Sequence, residues 1–145
     1  MTRSNLESPY LIDTSVLVKW FIEEHGSENA IRLRNKSAVG NIDIATTELA
    51  YYELANALRN SRLLPEAEIH RAVEDLRAER IHVVPFDMDA LHIAIENAVE
   101  YEISIYDAYF VALADLEGMT LVTADEKLVA KVSGRSAVIA LQDLA

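Results

Sequence analysis

Short apolar runs alternate along this chain with longer stretches in which apolar residues recur every three or four positions. The short runs are typical of buried strands, and the longer stretches are typical of helices that pack one face against a core. The predicted strands lie at residues 10 to 13, 42 to 45, 82 to 85, 120 to 123 and 137 to 141. Strands of this number and length are enough for one central sheet.

The stretches between these strands predict helices, several of which begin at a residue with capping chemistry. They are expected at residues 14 to 23, at 26 to 37, from Thr46 or Thr47 to Arg62, from Pro65 to about Arg80, from Asp87 to about Val99, from Ser104 to Gly118 and from Asp125 to about Lys131. Strands with intervening helices favour a mostly parallel sheet between two helical layers. The predicted fold class is therefore α/β, with three layers in the order α/β/α.

The length of the chain is that of one domain. It has 145 residues, and no linker, repeat or low-complexity stretch divides it. We therefore expect residues 1 to 145 to form a single domain, with disorder confined to residues 1 to 8.

Composition excludes several kinds of chemistry. The chain has no cysteine, which excludes disulfides, thiolate zinc sites and cysteine nucleophiles. No apolar stretch reaches the roughly 18 residues of a membrane-spanning helix, and no signal peptide is apparent, so a soluble cytoplasmic protein is expected. The formal net charge is −11, from 13 basic and 24 acidic residues. That charge argues against unspecific electrostatic binding of nucleic acid and suits a basic partner.

Four acidic residues stand where the surrounding sequence is apolar. Asp13 closes one predicted strand and Asp125 follows another, and ligands of α/β proteins bind at the carboxyl ends of parallel strands. Asp107 is the single charge between Ile103 and Ala114, so its helix must carry a carboxylate into or beside the core. Glu53 shares a helix face with Leu49, Asn56 and Ala57 and is expected to point inward.

Carboxylates gathered in this way predict a site for a hard divalent cation such as Mg²⁺ or Mn²⁺. These ions take oxygen ligands and keep bound waters, so two to four carboxylates from separate elements suffice. Without the ion, two carboxylates about 4 Å apart repel each other by roughly 4 kcal/mol at an effective dielectric constant near 20.

Each acid also has a simpler interpretation. Asp13 and Asp125 can each cap the helix that follows. Asp107 can form a buried ion pair with a lysine or arginine, and Glu53 can contact Asn56 or lie partly exposed. Capping and metal binding can coexist, and four such acids together are harder to explain by these separate roles than any one alone.

Other catalytic patterns are weak. The four histidines form no metal-binding motif, so zinc catalysis is not expected. With four glycines in the whole chain, there is no nucleophile elbow and no glycine-rich phosphate loop.

Four segments in order resemble the acidic motifs of PIN-domain proteins, above all the VapC-type toxins of prokaryotic toxin–antitoxin pairs. The first runs from Leu11 to Phe21, the second from Glu53 to Arg59, the third from Tyr106 to Ala114 and the fourth from Leu121 to Asp125. The combination covers nearly the whole chain in the right order and spacing, and it is more specific than any single motif.

The resemblance implies a three-layer PIN-like domain that forms a homodimer and acts as an endoribonuclease dependent on Mg²⁺ or Mn²⁺. It implies hydrolysis of single-stranded regions of RNA, to a 5′-phosphate and a 3′-hydroxyl, and neutralisation by a cognate antitoxin protein. By resemblance, the catalytic and metal-binding residues are Asp13, Glu53, Asp107 and Asp125. The hydroxyls of Thr14, Ser15 and Thr123 and the amide of Asn56 match positions that support these acids.

Two other functions are compatible with the same residues. One is an RNA-processing nuclease of this fold that has no antitoxin. The other is a non-catalytic module that binds RNA or protein and has lost its metal. A metal titration separates the last from the two nucleases, and a small open reading frame directly upstream favours the toxin.

Overall fold

A five-stranded parallel sheet forms the centre of the protein. The computed structural model describes residues 9–134 and 137–144, and the expected disorder at residues 1 to 8 lies outside them. The strand order is β3-β2-β1-β4-β5, and every neighbouring pair is parallel. The strands are β1 Tyr10–Ile12, β2 Ile44–Thr47, β3 Ile81–Val84, β4 Thr120–Thr123 and β5 Val138–Ala140.

Seven α-helices in the described residues cover the two faces of this sheet. They are α1 Thr14–Leu17, α2 Ser27–Ala38, α3 Glu48–Ser61, α4 Glu66–Ala78, α5 Met88–Tyr101, α6 Ile105–Glu117 and α7 Glu126–Lys131. The expected three-layer α/β/α class is confirmed. No helix of the described part of the chain has the length and apolar character needed to cross a membrane.

The order of the strands determines where a site can form. The chain moves outward from β1 through β2 to β3, then returns to place β4 on the other side of β1. Such a reversal opens a crevice at the carboxyl ends of the central strands, which is where open α/β sheets bind ligands.

The core lies on both sides of the two central strands. Leu11 and Ile12 of β1 and Leu121 and Val122 of β4 have no exposed surface. In α6, every residue from 108 to 114 is buried, which explains the near absence of charge in this segment. Burying one large apolar side chain contributes about 1.5–3 kcal/mol to folding, so α6 is held firmly against the sheet.

The first predicted helix is shorter than expected. The α-helical turn of α1 continues as a 3-10 turn over Val18–Trp20 and stops there, so the prediction of a helix to residue 23 was wrong. Trp20 is buried, and its indole N–H donates to the Ala30 carbonyl oxygen at 2.8 Å. This contact with a residue ten positions further along the chain turns the chain toward α2 earlier than the local pattern indicates.

The second strand begins and ends two residues later than predicted. It spans Ile44–Thr47 rather than residues 42 to 45, and all four of its residues are buried. The Thr46 hydroxyl donates to the Ile12 carbonyl oxygen at 2.9 Å instead of capping α3. Thr47 takes the N-cap position, but its side chain makes no capping hydrogen bond. Of the two candidate caps, Thr47 therefore takes the N-cap position without a capping hydrogen bond, and Thr46 is a strand residue bonded to β1.

The two threonines of β2 provide a stability test. Thr46→Val should lower the free energy of unfolding by about 1 kcal/mol, because it removes a buried hydrogen bond. Thr47→Val should be neutral or stabilising, because the buried Thr47 hydroxyl has no hydrogen-bond partner among the described residues. Urea unfolding of both variants measures the difference. Equal destabilisation by the two substitutions would contradict this account of the hydroxyls.

Candidate active site

Three of the four predicted acids come soon after one of the three inner strands of the sheet, either in the connection that follows the strand or in the next helix. Asp13 follows β1, Asp125 is two residues beyond the end of β4, and Glu53 lies in α3, which begins where β2 ends. Asp107 lies in the first turn of α6. The negative charge of Asp107 raises the pKa of Asp13 and of Glu53, and the charge of Asp125 raises the pKa of Asp107. The fold thus brings the four acids into one electrostatic neighbourhood, with Asp107 in the middle.

Asp13 is the most buried of these acids, with 6 % of its surface exposed. Its pKa is raised from 3.8 to about 6: burial is the largest cause and the negative charge of Asp107 adds to it, while hydrogen bonds from Ser15 and Thr123 oppose the shift. Its carboxylate also caps α1 by accepting the Ser15 backbone N–H at 3.1 Å. The capping role and the position at the site therefore coexist.

Two hydroxyl groups connect the ends of β1 and β4 around Asp13. The Ser15 hydroxyl donates to Asp13 Oδ1 and accepts the Ala124 backbone N–H at 2.8 Å. The Thr123 Oγ1 lies 3.3 Å from Ser15 Oγ and accepts the Asp125 backbone N–H at 3.1 Å. These bonds tie the strand end that carries Asp13 to the strand end that leads to Asp125.

Glu53 is half-buried and faces the site. The Thr14 hydroxyl donates to Glu53 Oε1 at 2.9 Å across 39 residues of sequence. Burial raises the pKa of Glu53, the hydrogen bond from Thr14 lowers it, and the charge of Asp107 raises it further. The expected inward orientation is therefore observed, and the partner that orients Glu53 is Thr14.

Asn56 is not part of this arrangement. It is exposed one turn beyond Glu53 and borders a cleft between α3 and α4 together with Leu64 and Ile69. None of the hydrogen bonds among the described residues joins its amide to the four acids. A supporting role for Asn56 therefore rests on the resemblance alone.

Asp107 lies in the first turn of α6 and has no positive partner among the described residues. Its backbone N–H donates to Ser104 Oγ at 3.0 Å, and Ser104 also lowers the pKa of its carboxyl by hydrogen bonding. Burial raises the pKa of Asp107 more strongly, and the charge of Asp125 adds to the rise. Within residues 9–134 and 137–144, no lysine or arginine forms an ion pair with Asp107. The alternative of a buried ion pair is therefore wrong for the described residues.

Asp125 lies at the exposed rim of the site. Its Oδ1 accepts the backbone N–H groups of Lys127 at 3.0 Å and Leu128 at 3.2 Å, so it caps α7 as one interpretation expected. The other carboxylate oxygen takes no part in this cap, which leaves it available to a ligand.

The donor set suits a hard divalent cation that keeps part of its water shell. In the described part of the chain, no three acidic or histidine side chains converge closely enough to hold an ion by themselves. Mg²⁺ is commonly held by only one or two carboxylates together with waters and substrate phosphates. Burial and mutual repulsion raise the pKa of three of the acids, so a cation would relieve a repulsion already present.

An aromatic pocket of about 290 Å³ adjoins the start of α6, and the sequence did not predict it. Phe86, which follows Pro85 at the end of the predicted third strand, is 61 % exposed and stacks on Tyr109. An aromatic residue just beyond a strand end was the available signal, but it did not show which residues would surround it. The pocket is lined by Thr47, Glu48, Leu49, Val84, Phe86, Leu91, Ile105, Tyr106 and Tyr109.

The sequence of the chain matches a known family. The PIN domain family matches residues 10–134, so the chain belongs to the PIN-domain family. The match spans all four acids and ends within the described part of the chain.

Relatives of the chain include proteins of the VapC group. A ribonuclease from Pyrobaculum aerophilum, Ribonuclease VapC3, is 31 % identical over 128 residues, which are 83 % of this chain and 92 % of the relative. The sarcin-ricin loop cleaving toxin VapC20 of Mycobacterium tuberculosis has a similar structure, with a TM-score of 0.67, 18 % identity and coverage of 85 % and 95 % of the two chains. A toxin-antitoxin complex from Klebsiella pneumoniae matches with a TM-score of 0.66, 16 % identity and coverage of 93 % and 99 %.

The raised pKa of Asp13 predicts how stability depends on pH. Because its pKa is higher in the folded protein than the ordinary 3.8, Asp13 contributes stability that is fully present below that value. This stability is lost as the pH rises through about 6. Asp13→Asn should therefore stabilise the metal-free protein by roughly 3 kcal/mol near neutral pH and change it little near pH 4. Urea unfolding at the two pH values measures the effect.

Asp75→Asn is the matched control, because Asp75 is an exposed aspartate on α4. Its effect should be small at both pH values. A stabilisation by Asp13→Asn that is equal near pH 4 and near neutral pH would show that protonation of Asp13 is not the cause.

Proposed function

We propose that this protein is a metal-dependent endoribonuclease toxin that hydrolyses single-stranded regions of RNA and is neutralised by an antitoxin. The observation that carries the proposal is the cluster of four acids around Asp107, at the carboxyl ends of the central strands, with no positive partner for Asp107 among the described residues. The ribonuclease name of the relative at 31 % identity supports the same activity.

Asp13, Glu53, Asp107 and Asp125 would hold Mg²⁺ or Mn²⁺ partly through bound waters, since no three of them converge closely enough to hold an ion directly. One or two such ions supply a water of lowered pKa and neutralise charge on the scissile phosphate. With its pKa at about 6, Asp13 is largely ionised at neutral pH even before an ion binds. The acids thus provide negative charge where a cation is needed, and hydrolysis requires no protein nucleophile.

The hydroxyl groups around the acids have an orienting role in this proposal. Thr14 holds one Glu53 oxygen, while Ser15 and Thr123 hold Asp13. Each hydroxyl donates to a carboxylate and restricts its rotation, so a cation would meet carboxylates that are already oriented.

A homodimer is part of the proposal. The outer face of α5 carries Met88, Ile95 and Val99, which are 56 %, 45 % and 78 % exposed. Their spacing places them along one side of the helix. Contact with a second copy of the chain would bury this apolar strip, which a monomer leaves in water.

An antitoxin that blocks the acids is also part of the proposal. The solved toxin-antitoxin complex from Klebsiella pneumoniae shares this fold and supports such a partner. With a net charge of −11, the chain would attract a basic segment. An arginine or lysine of the antitoxin could then take the place of the cation by charge-assisted hydrogen bonds to the acids.

Asp107→Asn should abolish RNA cleavage in Mg²⁺ or Mn²⁺ while the protein stays folded. Asp107 acts electrostatically on the other acids, so its loss removes the central charge of the site. We expect a fall in cleavage rate of at least a hundredfold, on the order of the loss of one strong stabilising contact in a transition state. The measurement is gel-resolved cleavage of labelled single-stranded RNA.

The exposed Asp75→Asn is again the matched control and should cleave at the wild-type rate. Circular dichroism and thermal unfolding establish that both variants are folded. A folded Asp107→Asn protein that cleaves RNA as fast as the wild type would refute the assignment of the site.

Binding of the antitoxin should weaken as the salt concentration rises. The proposed contact joins a basic side chain to the acids, and salt screens such attraction between exposed charges. The product of a small gene directly upstream would be titrated against wild-type protein and the Asp13→Asn/Asp107→Asn double variant at low and high salt. We expect weaker binding to the double variant and a smaller salt effect. An affinity that is indifferent to both changes would place inhibition elsewhere.

A further inference from the structure

We infer that the aromatic pocket beside α6 binds one unpaired base of the RNA, next to the bond that is cut. This inference rests on the proposed function for the identity of the substrate. The pocket is a distinct site from the acids, and it would fix which nucleotide lies beside them.

Phe86 provides a stacking surface that is formed before the ligand arrives. Its ring is parallel to the ring of Tyr109, with an angle of 4° and a centroid distance of 6.2 Å. Tyr109 is buried, and its hydroxyl accepts the Asp87 backbone N–H at 3.0 Å, which fixes the lower ring. Because Phe86 is 61 % exposed, a base can extend the stack by one layer with little loss of side-chain entropy.

The position of the pocket connects it to the acids. Tyr106 and Ile105, which line one wall, precede Asp107 directly in α6. Glu48, on another wall, opens the helix that carries Glu53. A nucleotide in the pocket would therefore lie beside two of the elements that carry the acids.

The charge of the protein makes such a pocket useful. At a net charge of −11, the field of the protein repels phosphate groups, and the acids add to that repulsion. Affinity for RNA must then come largely from contacts that do not depend on phosphate. Stacking of a base on an aromatic side chain contributes about 1–3 kcal/mol and tolerates any base.

Glu48 gives the pocket a preference among bases. Its carboxylate is exposed on the pocket wall and can only accept hydrogen bonds when ionised. Adenine, cytosine and guanine each carry an exocyclic amino group that can donate to it, whereas the N3–H of uracil lies between two carbonyl oxygens that repel a carboxylate. The pocket should therefore favour a base with an amino group over uracil.

The test measures binding separately from cleavage. Short unstructured RNAs of adenine or uracil, with a fluorescent label, are titrated in the presence of Mg²⁺ against the Asp107→Asn protein, which leaves them intact. In that background, Phe86→Leu and Tyr106→Leu should each weaken binding of the adenine RNA by between about fivefold and a hundredfold. Glu48→Gln should reduce the preference for adenine over uracil.

Tyr52→Leu is the matched control, because Tyr52 is an exposed tyrosine of α3 outside the pocket. It should leave RNA binding unchanged. Adenosine, which has no phosphate, provides a second probe: nuclear Overhauser contacts between its base and the Phe86 ring are expected in the wild-type protein and should be lost in Phe86→Leu.

Two results would overturn the inference. One is unchanged RNA affinity in both Phe86→Leu and Tyr106→Leu. The other is a shift of the monomer–dimer equilibrium by these variants, seen by sedimentation, without a change in RNA binding, because the pocket would then be an interface between copies. A wild-type protein that binds adenosine at Phe86 but cuts no RNA would contradict the proposed nuclease while supporting a base pocket.

Discussion

Burial of carboxylates close to one another is the constraint on which the site depends, because desolvation and mutual repulsion both penalise their charged forms. Asp13 is buried at the end of a central strand, and Asp107 faces it from α6 without a lysine or arginine partner in the described residues. A folded protein tolerates this only because the surrounding core supplies the free energy that the acids cost. The same repulsion makes the site receptive to positive charge, whether a divalent cation or a basic side chain of a partner.

The hydroxyl groups near the acids donate hydrogen bonds that stabilise individual carboxylates. Ser15 and Thr123 join the ends of β1 and β4, and Thr14 joins α1 to α3 through Glu53. These bonds partly offset the desolvation of the carboxylates and fix their directions. Asp125, at the rim, is left free to cap α7 with one oxygen. The site therefore has a hydrogen-bonded interior around Asp13 and a solvent-exposed side at Asp125.

Much of the fold followed from local pattern. The seven helices and five strands were each predicted in order, because apolar periodicity and capping residues are local signals. The errors have causes that lie outside the segment that was predicted. The helix after β1 ends early because Trp20 bonds to Ala30, and β2 lies further along the chain because Thr46 bonds to Ile12. The apolar pattern of one segment contains no information about a hydrogen-bond partner in another segment.

The same division applies to the candidate site. The sequence by itself determined which four acids interrupt apolar segments and which two of them follow strand ends. Both can be read from one segment at a time, because burial gives a strand or helix a periodic pattern of apolar residues. Only the tertiary structure decided that Asp107 lies among the other three, that Thr14 orients Glu53 while Asn56 stays exposed, and that Phe86 stacks on Tyr109. These relations depend on how helices from distant parts of the chain stack on the sheet. That stacking is determined by the packing of many side chains at once, and no single segment encodes it.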